Sequence, residues 1–218
     1  MIKKNNPGIV LFDFDGTLSA GDASSIFPVY CFGHSVRPWL FLPVVLCAGI
    51  VQLAAFLSRK ISGGNRVRDI DILWRQMMRS FLTPRMVKEL GPRFIKLHRQ
   101  SRFGWAAEQV AKEKAAGNIT ILTSGGGDYM IVPLASDMNF DYILCSEMDP
   151  KHPWKFRFFN YGPNKVASLK ALIESRKSKV ESRKINIIRA YSDSKSDRPM
   201  MSLAREQVWI NPKTGTRR

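Results

Sequence analysis

Cysteine is scarce in this 218-residue sequence, which has three, Cys31, Cys47 and Cys145, with no Cys-x-x-Cys pair among them. An odd and widely spaced set argues against a disulfide framework or a structural zinc site and fits a reducing compartment. Acidic residues are also few, with 18 Asp and Glu against 34 Lys and Arg, for a net charge of +16. A surface of this sign favours anionic partners such as acidic lipids, nucleic acids or phosphorylated substrates.

A secretory signal is also missing from the start of the chain. Residues 1–8 are mostly polar, and the apolar run that follows them ends at Phe12 after only four residues. A signal peptide needs a longer apolar region, so we expect the chain not to be exported. Apolar residues nevertheless make up 44% of the sequence, which is enough for a large core and excludes wholesale disorder.

Short apolar runs predict the strands of an open sheet, namely Ile9–Phe12, Ile119–Thr123, Tyr142–Cys145 and Ile185–Tyr191. Helical patterns separate several of these runs, at Trp105–Ala116, Tyr129–Met138 and Asn164–Ser178. Strands that alternate with helices predict an α/β fold with a Rossmann-like parallel sheet. Residues Trp154–Phe159 alternate apolar and basic side chains, which predicts a further strand with one solvent-facing side.

Residues 19–102 interrupt this pattern and predict a helical cap domain inserted after the first strand. The catalytic core would then consist of residues 1–18 and 103–218. Proline and glycine residues predict breaks between the cap helices at Pro38, Pro43, Gly63-Gly64 and Gly91-Pro92. The cap carries thirteen Lys and Arg against four acidic residues, so much of the positive charge lies there.

The segment Trp39–Leu57 is apolar, with nineteen residues and no charge. As a helix it would measure roughly 28 Å, just enough for the core of a bilayer. A single crossing would separate the two halves of the active site described below, so we expect the segment to enter the bilayer at Pro43 and return, or to lie in its interface. Its basic flanks, Arg37 and Arg59-Lys60, would contact anionic headgroups. The alternative is a buried cap helix.

Two carboxylates, Asp13 and Asp15, follow the first predicted strand in the sequence Asp-Phe-Asp-Gly-Thr-Leu. Both would reach the crevice where α/β sheets bind ligands, and Gly16 allows the chain to turn sharply. One carboxylate can attack phosphorus to form an aspartyl-phosphate, while the other exchanges a proton with the leaving oxygen and then with water. A loop with aspartate caps is the alternative.

This stretch resembles the first motif of the haloacid dehalogenase (HAD) superfamily of phosphohydrolases, which implies that Asp13 is the nucleophile and Asp15 the general acid/base. The strand end Thr123-Ser124-Gly125 resembles the second motif, in which a hydroxyl group holds a phosphoryl oxygen. Counting along the strand places Thr123 at this position, and Ser124 is the alternative if the strand ends one residue later. The resemblance covers nearly the whole chain.

Two later motifs of the superfamily also have counterparts. Lys165, at the start of a predicted helix, resembles the third-motif lysine and would offer positive charge to the phosphoryl group. The stretch Ser192-Asp193 followed by Asp197 resembles the fourth motif. The resemblance implies that Asp193, the Asp13 carboxylate and the Asp15 backbone carbonyl bind Mg²⁺, with Asp197 behind them near Lys165.

The helical insertion after the first motif resembles the subclass that includes phosphoserine phosphatase. Three features resemble the phosphatidylglycerophosphatase C family: the apolar cap segment, the phrase Tyr191-Ser-Asp-Ser194 with Asp197 and Pro199, and Trp209-x-Asn-Pro. This resemblance implies a Mg²⁺-dependent phosphomonoesterase of an anionic membrane lipid such as phosphatidylglycerophosphate, working at the cytoplasmic face of the membrane.

Other interpretations remain open at this point. The same chemistry could act on a soluble metabolite of the phosphoserine or sugar phosphate type, in which case the apolar segment would be cap core and the protein cytoplasmic. A third hypothesis is a basic, non-enzymatic module that binds nucleic acid or a membrane. The presence of all the candidate catalytic residues argues against it, so we expect no nucleic-acid partner. Asp22 could cap the first cap helix or face the active site. Lys155 and Arg157 could be solvated or could contact a substrate headgroup.

Overall fold

A computed structural model describes residues 7–34, 46–47, 49–50, 53–54, 79–177 and 186–218 of the chain. The chain divides into two compact units. The first comprises Met1–Ala23, Ile95–Glu147 and Arg157–Arg218, and the second comprises Ser24–Phe94 and Met148–Phe156. Residues 148–156, which the sequence analysis assigns to the core, are grouped with the second unit.

The strands are β1 (Ile9–Phe12), β2 (Ile119–Gly127), β3 (Tyr142–Met148), β4 (Phe156–Phe158), β5 (Ile187–Ser192) and β6 (Glu206–Trp209). They form one six-stranded sheet in the order β4-β3-β2-β1-β5-β6. The pairs β1–β2, β2–β3, β1–β5 and β5–β6 are parallel. The predicted α/β class with a Rossmann-like parallel sheet is therefore confirmed.

The helices are α1 (Ala23–Gly33), α2 (Pro84–His98), α3 (Trp105–Ala115), α4 (Asp128–Ala135), α5 (Pro163–Lys177) and α6 (Arg198–Met201), with 3₁₀ turns at Arg99–Ser101 and Lys195–Asp197. Helices α3, α4 and α5 occupy the three stretches that the sequence predicts to be helical. Their apolar residues pack on the sheet, which buries the hydrophobic runs of the parallel strands.

One face of the sheet packs against α5 and α6. Leu11 of β1, Ile121 of β2 and Leu169 of α5 belong to the same buried cluster on this face. Side chains of a strand alternate between the two faces, so the positions two residues farther along β1 and β2 project to the same side. These positions are Asp13 and Thr123.

Strand β1 lies in the middle of the sheet, between β2 and β5. The chain adds β2 and then β3 on one side of β1, and β5 and then β6 on the other. The direction of strand addition therefore reverses beside β1. In open α/β sheets a reversal of this kind leaves a crevice at the carboxyl ends of the strands, where ligands bind.

The predicted helix break at Gly91-Pro92 is wrong, because α2 runs from Pro84 to His98 with Pro92 inside it. A proline in a helix interior removes one N–H and clashes with the preceding turn. The following turn is held by aromatic packing in the second unit, where the ring of Phe94 lies 5.1 Å from that of Phe27 and 5.4 Å from that of Tyr30. Tertiary contacts here outweigh the local preference.

Most of the apolar segment 39–57 lies outside the described residues, as do the predicted breaks at Pro38, Pro43 and Gly63-Gly64. Its described positions, 46–47, 49–50 and 53–54, are helical and exposed. Leu46, Ile50 and Leu53 are 59%, 67% and 59% exposed. Within the described ranges, no helix has both the length and the apolar character that crossing a membrane requires.

Candidate active site

Asp13 follows directly on β1 at the reversal point. Its backbone N–H donates to the carbonyl of Tyr191 in β5, with an N···O distance of 2.9 Å, so the sheet sets its position. The residue is 5% exposed. The Lys165 ammonium donates to Oδ1 at 2.7 Å and the Thr17 hydroxyl to Oδ2 at 3.0 Å.

Lys165 lies in the first turn of α5 and is 3% exposed. Its Nζ lies 2.7 Å from Asp13 Oδ1 and 2.9 Å from Asp197 Oδ2, so one buried cation bridges two buried carboxylates. Burial opposes the positive charge, but the two carboxylates outweigh it and raise the pKa of Lys165 above its usual value. The ammonium therefore stays charged beside Asp13.

Asp197 lies behind this lysine and is 1% exposed. Its Oδ2 accepts a second hydrogen bond, from the hydroxyl of Ser192 at 2.7 Å. The Ser192 side chain thereby holds the Asp197 carboxylate in place. The structure thus places Asp197 in contact with Lys165.

Asp15 is connected to the start of α1. The backbone N–H of Ala23 donates to Asp15 Oδ1 at 2.9 Å. Loss of hydration, with repulsion from Asp22, raises the pKa of Asp15 well above its usual value. A carboxyl group with a raised pKa can carry a proton near neutral pH, which is what a general acid requires.

Asp193 and Asp13 both contact the hydroxyl group of Thr17. The Thr17 hydroxyl oxygen lies 3.0 Å from Asp13 Oδ2 and 3.3 Å from Asp193 Oδ1, and it accepts from the Asp193 N–H at 3.0 Å. Gly16 has φ of +76°, and a Cβ there would lie 2.5 Å from Asp193 Oδ2. Glycine is therefore required both for the turn and for the approach of the Asp193 carboxylate.

These two carboxylates have the donor chemistry of a Mg²⁺ site. The single Thr17 hydroxyl proton cannot satisfy both of them. Burial raises the pKa of Asp13 to about 7, against the effect of Lys165, and burial also raises the pKa of Asp193. Hard carboxylate oxygens in this arrangement suit a small divalent cation. No group of three or more His, Cys, Asp or Glu side chains among the described residues could hold a metal, so backbone carbonyls and water would complete the shell.

Both candidate hydroxyl groups of β2 are buried, with Thr123 2% and Ser124 1% exposed. The Thr123 hydroxyl accepts from the Asn160 side-chain amide at 3.3 Å, and the Ser124 hydroxyl accepts from the Gly126 N–H at 3.0 Å. The regular pairing of β2 with β3 shifts after Thr123. Thr123 is thus the last residue of the regular ladder, and Ser124 opens the glycine-rich end of β2 that follows the register shift.

The structure also locates the remaining candidates. Lys155 and Arg157 are exposed, as expected of a solvated face, and α1 begins directly after Asp22. Two residues of the site had no assigned role from the sequence, Thr17 and Asn160. The signals available in the sequence were a hydroxyl residue directly after Gly16 and a polar residue inside the aromatic run before Lys165.

A family model described as haloacid dehalogenase-like hydrolase matches residues 10–202. A protein described as a probable phosphatase from Mycobacterium tuberculosis is 27% identical over 119 residues, which cover 53% of this chain and 40% of that protein. The chain therefore spans less than half the length of the curated relatives that it matches.

Two solved structures share the fold. A protein of unknown function from Bordetella pertussis Tohama I superposes with a TM-score of 0.68 at 16% identity, covering 95% of this chain and 92% of that one. A substrate-bound phosphoserine phosphatase complex superposes with a TM-score of 0.59 at 15% identity, covering 95% of this chain and 87% of the other. At these identities the likeness concerns the fold.

Proposed function

This chain belongs to the haloacid dehalogenase-like hydrolase family, and we propose that it is a phosphatase that cleaves a membrane lipid phosphate through an aspartyl-phosphate intermediate. The observation that carries the proposal is the buried ion cluster at the carboxyl end of β1. There the Lys165 ammonium lies 2.7 Å from the Asp13 carboxylate. A fixed positive charge beside a carboxylate that can attack phosphorus suits phosphoryl transfer.

In the first half-reaction a carboxylate oxygen of Asp13 attacks phosphorus. The P–O bond to the alcohol breaks, and Asp15 donates its proton to the leaving oxygen. In the second half-reaction Asp15 removes a proton from water, whose oxygen attacks phosphorus. The bond between phosphorus and Asp13 then breaks, which releases inorganic phosphate and restores both carboxyl groups.

The Asp13 and Asp193 carboxylates and the Asp15 backbone carbonyl would hold Mg²⁺. When bound, the ion would supply positive charge that offsets the repulsion between these carboxylates and the phosphoryl oxygens. Lys165 contributes charge of the same sign from the α5 side, where Asp197 holds its ammonium group.

Ser124, rather than Thr123, is the hydroxyl that we assign to the phosphoryl group. The Thr123 hydroxyl already accepts from the Asn160 amide within the regular ladder, whereas the Ser124 hydroxyl lies in the glycine-rich end of β2 and accepts from the Gly126 N–H. We expect Ser124→Ala to raise the KM for a phosphate ester by about tenfold, the loss of one charge-assisted hydrogen bond.

Thr123→Val is the matched change one residue earlier. It should lower the melting temperature, because it removes a buried hydrogen-bond acceptor, and leave KM close to the wild-type value. Steady-state kinetics and thermal melts of both variants compare the two hydroxyl groups. The opposite pattern, with KM raised in Thr123→Val alone, would return the assignment to Thr123.

Exposed apolar side chains support a lipid as the substrate. In the second unit Leu46, Ile50 and Leu53 present apolar surface at helical spacing. In the first unit the rings of Phe159 and Tyr161 stack 5.3 Å apart and stay 39% and 42% exposed. The Tyr161 ring lies against Gly125 of β2, the residue that follows Ser124. An amphiphilic phosphate ester such as phosphatidylglycerophosphate would find apolar surface beside the phosphate site at the ring pair of Phe159 and Tyr161.

A soluble phosphate ester is the second candidate, and the fold shared with a phosphoserine phosphatase favours it. A phosphate-release screen distinguishes the two. It would compare phosphatidylglycerophosphate, phosphatidic acid, phosphoserine and sugar phosphates, with Mg²⁺ or with EDTA, and with or without detergent micelles. We expect Mg²⁺-dependent release from the lipid substrates. Preference for phosphoserine or a sugar phosphate would favour the soluble alternative, and release from no ester at all would contradict the proposed function.

Replacing both Ile50 and Leu53 with Asp should free the protein from vesicles of phosphatidylethanolamine and phosphatidylglycerol. Each charge placed in the apolar region of a bilayer costs about 2.5–3.5 kcal/mol on insertion scales. The variant should lose activity on lipid in vesicles and still cleave a short-chain soluble ester, because the substituted residues lie outside the ion cluster. Sedimentation with vesicles at low and high salt measures the attachment.

Val132→Asp provides the control, since Val132 of α4 is an exposed apolar residue, at 44%, in the other unit. This variant should bind vesicles like the wild type. A wild type that stays in the supernatant, or that high salt removes completely, would contradict insertion of the apolar segment.

A further inference from the structure

Asn160 lies between β4 and α5, next to the site, and has no step in the proposed chemistry. Its residue is 0% exposed, although its neighbours Phe159 and Tyr161 are exposed. A buried amide is costly unless its donors and acceptor are paired. The partners of Asn160 therefore indicate what it does.

The side-chain nitrogen of Asn160 faces strands β2 and β3. Its Nδ2 lies 2.9 Å from the carbonyl of Leu144 in β3, and 3.2 Å from the carbonyl of Ser124 and 3.3 Å from the hydroxyl of Thr123 in β2. Carbonyl oxygens only accept, so the nitrogen must point toward the strands and the oxygen away from them.

The side-chain oxygen of Asn160 faces α5. Its Oδ1 accepts from the hydroxyl of Ser168 at 2.7 Å, and this hydroxyl also lies 3.1 Å from the carbonyl of Lys165. Ser168 stands one turn after Lys165 in the same helix. The amide thus joins β2, at Thr123 and Ser124, to the turn of α5 that carries Lys165.

The backbone of Asn160 adds a second connection to β2. Its N–H donates to the hydroxyl of Ser146 at 3.0 Å, and that hydroxyl donates to the carbonyl of Gly125 at 2.8 Å. Ser146 is fully buried. Asn160 therefore holds both carbonyl groups, that of Ser124 directly through its side-chain amide and that of Gly125 through the Ser146 hydroxyl.

We propose that Asn160 is a positioning residue that sets the separation between the Ser124 hydroxyl and the Lys165 ammonium. This inference rests on the proposed function, in which these two groups hold the phosphoryl group from different sides. The gap between them depends on how β2 is held against α5, and Asn160 bonds to both elements. A displacement of about 1 Å in such a site can reduce the rate about 10²-fold.

The test compares Asn160→Ala with Asn164→Ala, in protein that otherwise has the full sequence. Asn164 lies four residues later, in the first turn of α5, and its exposed side chain donates to the carbonyl of Phe159 at 2.8 Å. The measurements are kcat and KM for p-nitrophenyl phosphate, the binding of inorganic phosphate by calorimetry, and the melting temperature. All activity and binding measurements are made well below the lowest melting temperature.

We expect Asn160→Ala to bind inorganic phosphate at least about tenfold more weakly and to lose about 10²-fold in kcat/KM, while Asn164→Ala behaves like the wild type. A residue with a merely structural role would lower the melting temperature and leave phosphate binding and KM of the folded protein unchanged. That pattern, or an equal loss in both variants, would overturn the inference.

Ser168→Ala covers the case in which Asn160→Ala does not fold. It removes the hydrogen bond between Asn160 and α5 and leaves those to β2 and β3. We therefore expect a folded protein that binds phosphate several-fold more weakly than the wild type. Unchanged binding in Ser168→Ala would then overturn the inference. A wild type that binds no phosphate and cleaves no ester would overturn the proposed function itself, whereas an active wild type with an unaffected Asn160→Ala overturns this inference alone.

Discussion

Asp13→Asn should abolish turnover to the detection limit. An amide cannot act as the nucleophile that forms an acyl phosphate, so neither half-reaction can begin. The change conserves shape, and the amide oxygen can still accept from Lys165 or Thr17, which donate to the carboxylate in the wild type. The loss should therefore appear in chemistry and much less in folding.

Asp15→Asn should reduce the activity only in part, in contrast to the complete loss expected of Asp13→Asn. It removes a general acid/base and should slow the reaction by about 10²–10⁴-fold without blocking the attack of Asp13. Phosphate release, covalent labelling by a phosphorylated substrate and a thermal melt would be measured for both variants. Activity near the wild-type level in Asp13→Asn would show that Asp13 is not the nucleophile.

Among the substitutions proposed here, Lys165→Met should cause the largest decrease in the free energy of unfolding, together with a loss of activity. The lysine is 3% exposed and bridges Asp13 and Asp197, so its removal leaves two buried carboxylates without their cation. Breaking a buried ion pair from one side costs about 3–5 kcal/mol. Methionine keeps most of the side-chain volume, so the effect should report charge and not a cavity.

The destabilisation by Lys165→Met should depend on pH in a defined direction. Burial already raises the pKa of Asp13 to about 7 with the lysine present, and loss of the lysine raises it further. The folded variant then binds protons more tightly than the unfolded chain, so its stability falls as pH rises from about 4 toward and beyond 7. Urea denaturation at pH 5 and pH 8 measures this.

Lys170→Met is the matched control, because Lys170 lies in the same helix with an exposed side chain. It should change the free energy of unfolding by no more than about 0.5 kcal/mol, as surface substitutions generally do. Equal effects of the two substitutions, or a Lys165→Met variant that is less stable at pH 5 than at pH 8, would contradict the buried ion cluster.

The elements that carry the site were predictable because their signals are local. The apolar run before Asp13 predicted β1 with its observed bounds, Ile9–Phe12, and the motif order placed the other site residues after strands or at the start of a helix. By contrast, β6 was missed, since Glu206–Trp209 is short and only Val208 in it is buried. Its pairing with β5 defines it as a strand.

The sequence by itself determined the α/β class, the acidic motif after β1 and the identity of the hydrolase family, because hydrophobic period and motif spacing are properties of the chain. The tertiary structure decided which polar groups meet. Thr17 lies between Asp13 and Asp193, a residue 176 positions away from it, and Asn160 joins β2, β3 and α5. Such contacts depend on strand order and register in three dimensions, which local sequence patterns do not encode.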